Sequence, residues 1–114
     1  MALILYSEGK YEEAIPIFET IIRTKSDVPE ILFNYAIALE KAGFLDKAKS
    51  TYEKIIKLRE DFGPAHYNAG LLMQRTGNTT QAVSYLEKAV ALMSDNAEVI
   101  AALGSVLKLS LIHI

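Results

Sequence analysis

Gly9, Gly43 and Gly77 stand 34 residues apart, and an alanine follows each by five residues: Ala14, Ala48 and Ala82. With glycine near 7% of average usage, two further glycines on one interval arise by chance about 0.005 of the time, and the alanines lower that to the order of 10⁻⁵. A period of this length marks a chain built from one repeated supersecondary unit. Such units stack because none covers its own apolar face. Function is therefore sought on a surface, not in a catalytic pocket.

Between the glycines the apolar spacing is helical. Leu32, Tyr35, Ala36 and Leu39 fall at i, i+3, i+4 and i+7, which places them on one stripe. A shift of 34 gives His66, Ala69, Gly70 and Met73, and a second shift gives Ile100, Leu103, Gly104 and Leu107. A second helix carries Ala48, Tyr52, Ile55 and Ile56, matched by Ala82, Leu86, Ala89 and Val90 and by Ala14, Phe18, Ile21 and Ile22. The pattern predicts helices over about 1–8, 11–25, 29–42, 45–59, 63–76, 79–93 and 97–109. Ala36, Gly70 and Gly104 are expected to face Ala48 and Ala82, so that the backbones approach closely. Gly43 and Gly77 suit the left-handed conformation that ends a helix within a short turn. Ser26-Asp27-Val28-Pro29-Glu30 reads as a capping side chain, a proline at the first helical position and an acid in the first turn. Asp61-Phe62-Gly63-Pro64 and Ser94-Asp95-Asn96-Ala97-Glu98 repeat that signal with substitutions. Pro16 lies inside a predicted helix, forfeits a backbone hydrogen bond and is expected to bend it.

Bulk properties exclude several classes. A net charge of −2 over 114 residues gives no basic footprint for nucleic acid. No cysteine is present, so there is no disulfide, thiolate metal site or cysteine nucleophile. Apolar residues make up 51% of the chain, yet no uncharged apolar run approaches the roughly 18 residues of a membrane span. The N-terminus lacks the basic start and apolar run of a signal peptide. No phosphate loop, nucleophile elbow or zinc-ligand spacing occurs, so neither enzyme activity nor a cofactor is expected.

With its period, its small residues and segments such as Gly9-Lys-Tyr-Glu-Glu-Ala-Ile and Tyr67-Asn-Ala-Gly-Leu-Leu, the chain resembles the tetratricopeptide repeat family over residues 1 to about 108. It departs from the family pattern where a tryptophan is often found, at Leu32, His66 and Ile100, and where a proline often closes the unit, at Ser26, Glu60 and Ser94. The resemblance implies an all-α fold, a right-handed superhelix of about three helix pairs plus a C-terminal helix. Its first helices would line a concave groove that binds peptides or partner proteins. Units are expected at about 1–28 (partial), 29–62, 63–96 and 97–108 (partial).

Candidate binding residues lie on the first helices. Asn34 and Asn68 are 34 apart, and an amide both donates and accepts, so such a ladder can hold a peptide backbone without reading its sequence. Some relatives, including the repeat region of O-linked N-acetylglucosamine transferases, use asparagines this way. Ala102 breaks the ladder. Phe33 and Tyr67 form an aromatic column beside it, with Ile37 and Leu71 one turn on and Glu40, Lys41, Gln74, Arg75 and Lys108 closing the face. For the asparagines, stitching of neighbouring helices is the alternative reading; for the aromatics it is packing between units. The carboxylate clamp of chaperone-binding relatives needs lysines, arginines and asparagines where this chain has Phe33, Ile37, Tyr67, Leu71 and Ala101, so chaperone C-termini are not expected ligands. His66 falls on the packing stripe and is expected to be structural. Glu12-Glu13 and Glu60-Asp61 read as solvated carboxylates.

The repeat register holds through Lys108 and then fails, since Leu111 stands where the next turn glycine is due. Residues 109–114 therefore read as a non-native tail, and the whole as a fragment of a longer protein whose exposed ends could self-associate. The expected role is a protein-interaction scaffold that binds a peptide or partner protein in the groove. The alternatives are a non-catalytic arm of a larger enzyme such as a glycosyltransferase, or RNA binding by a related 35-residue repeat, which the acidic balance and 34-residue spacing oppose. Nothing in the sequence fixes a compartment.

Overall fold

The computed structural model describes residues 10–112. The expected helix over 1–8, Gly9 and His113 lie outside the described residues. Within them are six helices and no strand: α1 (Tyr11–Thr24), α2 (Pro29–Lys41), α3 (Leu45–Leu58), α4 (Gly63–Arg75), α5 (Thr79–Leu92) and α6 (Ala97–Ile112). Every start coincides with the expected one, and α1 to α5 each end one residue early. The last helix runs to Ile112, past the expected end at 109, because nothing in Leu109-Ser-Leu-Ile stops it. The chain divides into two compact units between Arg59 and Glu60.

In the first unit α2 packs against both α1 and α3. The turn between α2 and α3 explains the periodic glycine. Gly43 has φ +94°, its N–H reaches Glu40 O at 3.1 Å, and the Phe44 N–H reaches Leu39 O at 2.8 Å. This is the paired closure of a Schellman motif, which satisfies carbonyls the helix end would otherwise leave open. Gly43→Val should cost roughly 1–2 kcal/mol, because a branched Cβ is strained at positive φ. A lower urea midpoint at unchanged slope is the expected reading. The core of this unit is Ala14, Phe18, Leu32, Tyr35, Ala36, Leu39, Ala48, Tyr52 and Ile55, each at most 8% exposed. Burial of one such large side chain is worth about 1.5–3 kcal/mol.

The second unit repeats the arrangement, with α5 packed against α4 and α6. Gly77 has φ +84°, with Gly77 N–H to Gln74 O at 3.2 Å and Asn78 N–H to Met73 O at 2.8 Å. Gly70 provides the close approach. A Cβ built there would lie 2.7 Å from Leu86 Cγ and 3.4 Å from Ala82 O. At Gly104 the expectation fails: that residue is exposed and a Cβ would meet nothing within 4 Å. Helix α6 turns Val99 and Val106 inward instead, while Ile100 is 49% and Leu107 42% exposed.

The capping expectation also needs correction at two of its three sites. Val28 and Phe62 occupy the N-cap positions of α2 and α4, and neither helix has a side-chain cap. A proline in the first turn of each removes one donor that a cap would otherwise satisfy. Asn96 does cap α6, accepting from Glu98 N at 3.0 Å and Val99 N at 3.2 Å. Asn78 caps α5 through Gln81 N. Pro16 sits inside α1, where Thr20 Oγ1 donates to its carbonyl at 3.0 Å.

Candidate functional site

The candidate residues occupy one flank of the first helix in each unit, beside the buried stripe. At 100° per residue, Phe33, Ile37 and Asn34 span about 100° of α2, and Gln74, Tyr67, Leu71, Arg75 and Asn68 span about 120° of α4. All are half-buried except Arg75, which is exposed. The same positions therefore present aromatic, amide and aliphatic groups on α2 and again on α4. Phe33 also packs within its own unit: its ring centroid lies 6.3 Å from that of Tyr52 at 58°. Glu40, expected at the end of this face, accepts the Tyr52 hydroxyl at 3.0 Å. Lys41 and Lys108 are exposed, Ala101 is exposed and Ala102 half-buried.

His66 is 5% exposed and its Nε2 lies 2.8 Å from Glu60 O, so that nitrogen donates. Its structural role follows from this bond and from the Tyr85 ring 6.5 Å away. The pairs Glu12-Glu13 and Glu60-Asp61 are exposed. Among the described residues, no cluster of three or more His, Cys, Asp or Glu could hold a metal ion, and no helix is long and apolar enough to cross a membrane.

One polar cluster escapes the sequence reading. Tyr35 on α2 donates its hydroxyl to Glu19 Oε2 on α1 at 2.8 Å, and Lys47 Nζ on α3 approaches the same oxygen at 3.1 Å. Glu19 is thus shared by three helices of the first unit. The Tyr35 hydrogen bond, then that from Lys47, holds the Glu19 carboxyl below its ordinary pKa. Burial, then the bond to Glu19, pushes the Tyr35 phenol above its own. Tyr35→Phe should cost about 1 kcal/mol at neutral pH, the net worth of one such bond. A carboxyl with a depressed folded pKa stabilises above its unfolded value, near 4.3, and loses that contribution as pH falls through the folded value. Urea midpoints of the native chain and the variant should accordingly converge on acidification.

Helix pairs turned at a positive-φ glycine and repeated every 34 residues define an all-α repeat protein of the solenoid class. Two family models described as tetratricopeptide repeat match the sequence, at residues 5–71 and 63–96. The chain belongs to the tetratricopeptide repeat family. No curated protein sequence matches it. Among solved structures, the first tetratricopeptide region of Spaghetti (RPAP3), bound to the HSP90 peptide SRMEEVD, superposes with a TM-score of 0.88 at 20% identity, covering 94% of this chain and 85% of that one. The type III secretion chaperone SycD of Yersinia enterocolitica, in complex with a peptide of the translocator YopD, gives 0.86 at 21% identity, covering 96% and 88%. MamA of Desulfovibrio magneticus RS-1 gives 0.87 at 26%, with 94% of this chain aligned and only 60% of MamA spanned.

Proposed function

We propose that this chain is a protein-interaction scaffold that holds a peptide against the flank of its first helices, the wall of the concave groove that family resemblance implies. The observation that carries the reading is the recurrence, on α2 and on α4, of a half-buried aromatic, amide and aliphatic set at equivalent positions of the repeat. In the first unit Asn34 would bond a peptide backbone, with Phe33 and Ile37 seating side chains; in the second unit Asn68, Tyr67 and Leu71 would do the same, with Gln74 and Arg75 beside them. Two structural neighbours were solved with peptides, which supports the class of ligand. The occupant differs from the acidic peptide on Spaghetti, because the residues placed here for contact are mainly apolar and amide.

Peptides selected from a displayed random library against the intact chain supply the probe. Changing Asn34 and Asn68 together to alanine should weaken a selected peptide at least about tenfold, the loss of roughly one to two hydrogen bonds. Helical content by circular dichroism should not change. Unaltered affinity in the double variant would refute the assignment.

A further inference from the structure

We propose that Met93 is a methionine-oxidation site through which peroxide loosens the second unit. Sulfur chemistry in this chain rests on thioethers alone, since it has three methionines and no cysteine. Met1 lies outside the described residues, Met73 is 4% exposed, and Met93 is half-buried. Susceptibility to oxidation follows exposure, so Met93 reacts ahead of Met73.

The place of Met93 in the repeat gives the modification its effect. It is the C-cap of α5, where α1 has Lys25 and α3 has Arg59. In the first unit Arg59 reaches Glu30, in the first turn of α2, at 3.2 Å. Charge thus ties the end of the second helix to the start of the first. A shift of 34 residues puts Met93 and Pro64 in the same two places, where no ion pair can form. The thioether takes over the contact. A Cβ built at Gly63 would lie 2.6 Å from Met93 Cγ and 2.7 Å from its Sδ. Met93 therefore rests on the backbone of the first residue of α4, and only glycine leaves it room. The last turn of α5 has no basic residue to share the load.

The reaction is a two-electron oxidation of sulfur by a peroxide. A lone pair of Sδ attacks one peroxide oxygen, and the S–O bond forms as the O–O bond breaks. The second oxygen leaves as hydroxide and takes the proton carried on the sulfur-bound oxygen, giving water. The sulfoxide is larger, polar and chiral. Because Sδ already touches Gly63, the added oxygen either displaces the end of α5 or turns the sulfur away from α4. Both outcomes break the contact. The oxygen also brings partial negative charge to the C-terminal end of α5, where the helix dipole opposes it. Two thiols of a sulfoxide reductase system reverse the step, yielding thioether, disulfide and water.

The intact chain, treated with hydrogen peroxide at neutral pH, is followed by peptide mass mapping and thermal unfolding. Met93 should gain one oxygen at least about tenfold faster than Met73. The unfolding midpoint should fall by about 4–8 °C as Met93 sulfoxide accumulates. Sulfoxide reductases of both epimer specificities, with dithiothreitol, should restore it. Met93→Leu keeps an apolar side chain and should hold its midpoint under peroxide, whereas Met73→Leu should lose stability as the native chain does. If Met93→Leu fails to fold, the midpoint of Met73→Leu plotted against Met93 oxidation still decides. The proposal is overturned if Met93 oxidises no faster than Met73, if its sulfoxide leaves the midpoint unchanged or raised, if reduction does not restore it, or if folded Met93→Leu loses as much.

Discussion

Tyr52→Ala lowers the stability of the first unit by about 3–5 kcal/mol, the range for truncating a buried aromatic. Tyr52 is 0% exposed, meets the ring of Phe33 at 6.3 Å and donates its hydroxyl to Glu40 at 3.0 Å. Truncation leaves a cavity between α2 and α3 and removes the donor from a half-buried carboxylate. Tyr52→Phe separates the two effects: it keeps the volume and should cost only about 1 kcal/mol. Chemical denaturation gives both values, and amide exchange localises them, with the amides of α2 and α3 losing the most protection. A loss below about 1 kcal/mol for the alanine variant would mean that this core is far more plastic than its close packing implies.

Two glycines at the same place in the repeat should respond with opposite sign. Gly70→Leu forces a side chain into space already held by Leu86 and should cost about 1–3 kcal/mol. Gly104→Ala adds a methyl where nothing stands within 4 Å and should stabilise by about 0.5–1 kcal/mol through helix propensity alone. Thermal unfolding of the two variants beside the parent chain measures the contrast. A stabilising Gly70→Leu would show that α4 and α5 separate at little cost.

Much of the architecture was legible because its signals are local. Helix starts from Tyr11 to Ala97, the left-handed Gly43 and Gly77 and the buried His66 all follow from spacing within a single 34-residue unit. The errors arise where structure depends on packing or on a shift of one position. The caps expected from Ser26 and Asp61 failed because Val28 and Phe62, not the polar residues upstream, stand at the helix boundary. Gly104 resembles Gly70 in sequence, but no second helix lies against it among the described residues. Glu19 joins Tyr35 and Lys47 across separations of 16 and 28 residues, neither of which is a repeat period. For the binding flank, the sequence revealed the recurrence of Phe33 and Asn34 as Tyr67 and Asn68, yet the Phe33 contact with Tyr52 emerged only from the packed unit.

The reverse turns at Gly43 and Gly77 have a kinetic consequence. Each is closed by bonds spanning three and five residues, from Glu40 to Gly43 and Leu39 to Phe44, and from Gln74 to Gly77 and Met73 to Asn78. Hairpins tied this near to their own apex need little search entropy to form, so either can act as a nucleus. Chains dominated by such short-range closure fold in microseconds to milliseconds.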